Sequence, residues 1–299
     1  MYYDESHHSS AAEFMDGISL SRSGFYLQGK YHWMFRGQPS VSKLVPTAWR
    51  ERGLDDFNEG KPPDTHEKLV ELEMRVAVQF FRLADARGLA LPEDTQALRR
   101  EIWSEDRPVG HSWPESHWWS LLALARHHGL PARLLDWTWN PYVAAYFAAS
   151  GAYRALRDGK ARATDKLEVY ALSIETCLDN LQRSLLGLRP SPESITIVTA
   201  PGAGNQNLRA QEGVFTLLVP RPSAVDPIPR MSVDAYVRSL SGDVPTTLLR
   251  RFTLDIEHAW ELMDRLGCEG VSASSVWPGY GGVAREVEEF GREGLGSPE

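Results

Sequence analysis

The residues with most chemical capacity in this chain fall in two short stretches. The first is Arg36-Gly37-Gln38, directly after the aromatic run Tyr31-His32-Trp33-Met34-Phe35. A guanidinium is a planar, permanently charged fork that matches phosphate or carboxylate oxygens. A neighbouring glycine lets a ligand or another backbone approach closely. The second runs from His127-His128-Gly129 through Arg133, Asp136, Trp137, Thr138 and Asn140 to Pro141. It offers a titratable imidazole, a carboxylate, a hydroxyl and an amide within a few residues.

Each of these residues has two readings. Arg36 either binds an anion or pairs with an acid such as Asp136. Asp136 either caps a helix or orients Arg36, Arg133 or a ligand hydroxyl, and Thr138 is a cap or a ligand group. Trp137 and Trp139 are stacking faces or core, and His127 or His128 is an acid–base group lining a cleft or a backbone-bonded core residue. His127 and His128, taken with His111 and His117, lack any accompanying Cys or carboxylate pattern with metal-ligand spacing, so no metal is expected.

The elements that must position these groups follow from the flanking sequence. Leu134-Leu135 reads as a short buried strand. Asn140-Pro141 opens a helix whose stripe is Val143, Tyr146 and Phe147, with Ala144, Ala145 and Ala148 allowing close packing. Tyr31 to Phe35 reads as a strand with Arg36-Gly37 at its end. Thr65 to Arg87 is the clearest helix, with Leu69, Leu72, Val76, Phe80 and Leu83 on one stripe. Helices are also expected near Ala11, over Thr95 to Trp103, over His117 to His128 and over Ile256 to Leu266. Strands are expected over Leu167 to Ser173, Ser194 to Val198, Val214 to Val219 and Leu248 to Leu254. Pro201 to Arg209 reads as a loop, and Gly270 to Pro278 as a last strand and turn before a helix over Val283 to Phe290.

Helical signals dominate the first half and strand signals the second. The fold class expected is therefore α+β, a helical N-terminal half packed on a mixed, mainly antiparallel β core. Residues 1–30 read as a lead-in, 31–290 as one domain and 291–299 as a fraying tail. The chain has 299 residues and a net charge of −8, which gives no bulk support for broad nucleic-acid binding. Two cysteines, Cys177 and Cys268, fit a reducing cytoplasm. No run approaches the ~20 apolar residues that span a bilayer, so no membrane association is expected.

Four stretches, in this order, resemble the motifs of the FRG-domain family. They are Phe35-Arg36-Gly37-Gln38, His127 to Ala148, Asn207 to Phe215 (containing Gln211-Glu212-Gly213), and Trp277 to Gly282. A second pattern, strand-Arg-Gly, then Thr before Asn-Pro-x-x-Ala-x-x-Phe, then Gln-x-x before an apolar strand, is similar to the ADP-ribosyltransferase layout. That resemblance implies a split sheet and NAD as substrate. It implies Arg36, Gly37, Gln38, Arg133, Asp136, Trp137 and Thr138 around the nucleotide, with Gln211, Glu212 and His128 at the reacting end. The position of the usual catalytic Glu is Gly213. A bacterial toxin or phage-defence effector with a macromolecular target and a regulatory partner is the role it implies. A non-catalytic module holding a nucleotide or nucleic-acid end in the same cleft is the alternative.

Overall fold

The computed structural model describes residues 3–26, 28–104, 113–177, 194–202, 205–219, 231–240 and 247–291. Among the described residues, seven strands form one sheet: β1 (Tyr3–His8), β2 (Trp33–Gln38), β3 (Leu134–Thr138), β4 (Lys166–Ser173), β5 (Ser194–Val198), β6 (Gly213–Val219) and β7 (Leu249–Asp255). Their order across the sheet is β1-β7-β4-β2-β3-β6-β5. The β1–β7 pair is parallel, and the other pairs are antiparallel.

The helices are α1 (Ala11–Ile18), α2 (Ser23–Tyr26), α3 (His66–Ala86), α4 (Gln96–Trp103), α5 (Trp119–His127), α6 (Pro141–Arg157), α7 (Gln206–Ala210), α8 (Val233–Ser239), α9 (Ala259–Cys268), α10 (Ala273–Val276) and α11 (Tyr280–Phe290).

Strand alternation sorts the sheet's side chains into two cores. Trp33 and Phe35, with Leu167, Val169 and Ala171, face α1, α6 and α9. Met34, Tyr170 and Leu172 face the opposite way, with Leu69, Leu72 and Val76 of α3 and Tyr236 of α8. A third cluster joins α3, α4 and α5 around Phe81, Ile102 and Trp118. The fold is thus α+β with a mixed sheet, but helices from both halves of the chain cover it. A helical N-terminal half standing against a separate β core is not what forms. With both faces covered, β4 is a near-continuous buried run.

Two helix starts come directly from local chemistry. The Thr65 hydroxyl accepts from the Lys68 amide at 3.1 Å, and the Asn140 carboxamide oxygen accepts from the Tyr142 amide at 3.0 Å. Asn140, not Asp136 or Thr138, is therefore the cap of α6, and Pro141 follows it at the first helical position.

Four local expectations are corrected. The first strand begins at Trp33, Tyr31 lying in a short 3₁₀ turn, so Arg36 and Gly37 are inside β2 rather than at its end. Leu83 is 60% exposed on α3, and Phe81 takes the buried position instead. Pro201 to Arg209 contains the start of α7, capped by Asn205. Gly270 to Pro278 forms α10 in place of a strand, because Ser272 and Ser275 complete a reciprocal capping box. In addition, part of the expected lead-in, Tyr3–His8, is the parallel edge strand of the sheet. The expected tail lies outside the described residues except for Gly291.

Gly37 has a packing reason of its own. A Cβ there would lie 1.8 Å from the Ala144 carbonyl oxygen of α6. Gly37→Ala must push helix and sheet apart, and a loss of about 2–3 kcal/mol is expected, measured as a lowered urea midpoint with unchanged slope.

Candidate functional site

β2 and β3 are neighbours, yet they share a single registered pair, Phe35 with Thr138. Each of these strands is otherwise fully laddered on its other side, β2 to β4 and β3 to β6. Beyond Phe35 the pairing lapses, and the Asp136 carbonyl has no partner from the β2 backbone. Arg36 supplies one: its Nη1 donates to the Asp136 carbonyl oxygen at 2.8 Å. The same nitrogen lies 3.4 Å from Asp136 Oδ2. Arg126, in the last turn of α5, donates to that carboxylate oxygen through Nε at 3.1 Å and Nη2 at 2.6 Å.

A cavity of about 440 Å³ opens at this lapse. Arg36, Asp136, Arg126, His127, Gln211 and Trp277 line it, with Gly37, Trp137 and Thr138 in its walls. The guanidinium of the second strand, the polar turn at mid-chain and the amide before β6 therefore do share one hollow.

The electrostatics are those of a partly buried cluster. Burial pushes the Asp136 carboxyl up, but Arg126 and then Arg36 outweigh it and hold the group below its ordinary value of 3.8. Burial lowers Arg36 from its usual range, and its Nε is shielded from water without a hydrogen-bond partner. Burial, helped by the neighbouring His128, also pulls His127 below the ordinary imidazole value, so its ring is neutral near pH 7.

Several expected site residues serve elsewhere. Arg133 is 2% exposed and donates to Glu73 at 2.6 Å; Glu73 also accepts from Trp113 at 2.8 Å and Trp49 at 3.1 Å. This buried charge is fully committed to joining α3 to the approach of β3, so no nucleotide contact is left for it. Gln38 is buried and donates to Glu168 at 2.9 Å and to the Ser42 carbonyl at 3.0 Å. His128 is the cap residue after α5 and packs on Phe80, while its neighbour His127 faces the cavity.

Trp137 is 3% exposed and gives its N–H to Thr216 at 2.8 Å, so it is wall and not stacking platform. The Thr138 hydroxyl donates to the Gln211 carbonyl at 2.6 Å and accepts from the Asn140 amide at 3.0 Å, which ties the turn to β6.

Glu212 adopts a left-handed backbone, φ 46°, just before β6. Its carboxylate is held by Lys30 at 2.6 Å and by the Asn140 side chain at 3.3 Å, and it does not line the cavity. No bulge returns it there. At Gly213 a Cβ would lie 2.4 Å from the end of the Leu208 side chain, so a larger residue there requires Leu208 to move. Gln211 does line the cavity and donates through Nε2 to the Val276 carbonyl at 3.3 Å.

Trp277 forms the far wall. Arg285 of α11 lies 3.7 Å over its ring, and Glu289 accepts from the Tyr146 hydroxyl at 2.6 Å, fastening α11 to α6. Sequence reading left His127 and His128 as alternatives and did not single out Arg126 as a site residue; no local signal distinguishes Arg126 from an ordinary polar helix end. Among the described residues, Glu101, Glu115 and His117 bring ligand atoms within 4.8 Å of one another. His117 lies 2.9 Å from Glu101 and 3.7 Å from Glu115, an ion-pair arrangement that accounts for the grouping. His111 lies outside the described residues.

The architecture defines an α+β protein whose sheet opens on an arginine-rich cavity. Residues 31–155 match the FRG domain family model. The match contains Arg36, Arg126 and Asp136; the Gln211 and Trp277 stretches lie beyond it. No curated protein and no solved structure matches the chain. No described helix is long and apolar enough to cross a membrane.

Asp136→Asn leaves two guanidiniums facing each other without a counter-charge. Stability should fall by about 1–2 kcal/mol at pH 7, a reduced value because the carboxylate is partly exposed. A carboxyl held below 3.8 stabilises the fold fully above that pH and loses its contribution as pH drops through the lower folded-state value. The gap between wild type and variant should therefore shrink on acidification, as urea unfolding at pH 7 and pH 3 would show.

Proposed function

We propose that the cavity binds a nucleotide through its phosphates, with NAD the first candidate. The observation that carries this reading is the charge imbalance at the lapse in the sheet. Arg36 and Arg126 share one carboxylate, and Arg50 adds a third guanidinium close enough to be felt by both Arg36 and Arg126. A protein of net charge −8 that lines a hollow of this size with two arginines on a single carboxylate, and a third arginine nearby, is built for an anionic guest. The lapse between β2 and β3 also supports the likeness to the split sheet of ADP-ribosyltransferases, as does the arginine on the strand beside it.

The same likeness bears on catalysis. Those enzymes place a Glu where it stabilises the oxocarbenium-like transition state. Here that place is Gly213, and Glu212 is neutralised by Lys30. Gln211 can bond a ribose hydroxyl but adds no negative charge. Loss of one such preorganised charge costs on the order of 100- to 1000-fold in rate. This favours binding with slow turnover, or none, over efficient transfer. A toxin or phage-defence role, with a macromolecular target and a partner that switches the protein, remains part of the proposal.

Isothermal titration with NAD, ADP-ribose and ADP is the direct test, with nicotinamide release followed by chromatography. Saturable binding of at least one of the three is expected, weakened about tenfold or more in Arg126→Gln by loss of a charge-assisted phosphate contact. Nicotinamide release should be slow or undetectable. Absence of binding to all three would overturn the reading; fast release would overturn the view of Gly213.

A further inference from the structure

A second cavity, of about 360 Å³, lies at the other end of the sheet, between β1, α1, α2 and β7. Its unusual member is Arg250. The guanidinium sits 4.8 Å from the ring centres of both Phe25 and Trp33. Its side chain makes no hydrogen bond or ion pair to a described residue, and its Nε is shielded from water without a partner. Asp4 attracts it only from beyond ion-pair distance. Of the guanidinium's five N–H donors, the one on Nε is left unmet by the protein, which is unfavourable.

The space around it is kept open by glycines. A Cβ at Gly24 would come within 2.5 Å of Arg250 Nη1, and one at Gly17 within 2.6 Å of the His8 ring. His8 packs edge-on to Phe14 and stacks on Phe252. Burial lowers its imidazole, so it brings no charge near pH 7.

The remaining charges sort into a pair and a remainder. Asp16 and Arg22 neutralise each other, Arg22 Nε donating to Asp16 Oδ1 at 2.7 Å. Glu13 receives two bonds from Ser9, backbone at 3.2 Å and hydroxyl at 2.8 Å, both on Oε2, so Oε1 is left. Arg250 and Glu13 are thus one unmatched positive and one unmatched negative group on the same cavity. A dianion would meet Glu13 unfavourably, and a simple cation would meet Arg250. A zwitterion satisfies both.

We infer that this cavity binds a small α-amino acid, its carboxylate on the Arg250 fork and its ammonium on Glu13, as a site separate from the nucleotide cavity. A planar carboxylate matches the edge of a guanidinium, here one resting against two aromatic rings.

The test is titration of the full chain with glycine as the smallest member of the class, beside acetate, methylammonium and inorganic phosphate, read by calorimetry and by thermal shift. Glycine should bind more tightly than acetate or methylammonium. Arg250→Gln should weaken glycine about tenfold or more. Glu13→Gln, at an exposed position that leaves the fold intact, should erase the advantage of glycine over acetate while acetate binding persists. Phosphate binding more tightly than glycine would overturn the zwitterion assignment in favour of an oxyanion site. So would glycine affinity unchanged in Glu13→Gln, or no binding of any probe at about 50 mM. Each result is independent of whether NAD binds at the first cavity.

Discussion

The structure turns on one interruption in its sheet. β2 and β3 meet at Phe35 and Thr138 and then part, and a side chain takes over from the backbone ladder. A strand carbonyl abandoned in a protein interior is expensive, so the Arg36 guanidinium that reaches Asp136 stabilises the gap that makes the cavity possible. The Asp136 carboxylate then anchors Arg36 and Arg126 together. One carboxylate serves two guanidiniums, and the remaining positive charge faces the hollow. Structural and ligand-directed readings of Arg36 are therefore not alternatives: the same cation closes the ladder and charges the site.

Arg133 shows how a similar residue reaches the opposite outcome. It stands three residues before Asp136, and in sequence it has the same chemical promise as Arg36. What decides its fate is Glu73, a buried carboxylate on α3 that also holds two indole N–H groups. With three N–H groups on that acid and Arg133 2% exposed, the pair stabilises the packing of α3 on the chain leading into β3. A buried pair of this kind is tolerated because the carboxylate accepts from three N–H groups and Arg133 also donates to the Trp113 carbonyl.

Much of the fold was legible because its signals are local. The alternation of Trp33, Met34 and Phe35 sorts them to opposite faces, and Asn140-Pro141 starts α6 as a cap and first-turn pair should. The stripe of α3 was legible up to Val76, after which Phe81 and not Leu83 faces inward. Convergence of Arg36, Asp136 and Gln211 was legible only through the order of motifs, since nothing local sets which strands are neighbours. The individual roles were less legible. Lys30 drawing Glu212 away, Leu208 filling the space beside Gly213, and the choice of His127 over His128 all depend on partners remote in sequence. Strand signals at Gly270 to Pro278 failed for a smaller reason, the capping box of Ser272 and Ser275 being stronger than the β propensity around Val271 and Val276.

Trp277 and the helix that supports it have a temporal meaning. The floor of the cavity comes from β2, made early in synthesis, while its far wall is held by Arg285 and by the bond between Glu289 and Tyr146. A growing polypeptide therefore has no enclosed pocket until α11 has left the ribosome and docked on α6. Any guest of that pocket engages only molecules in which α11 has docked, and it protects those against unfolding while giving chains that lack the docked helix no help.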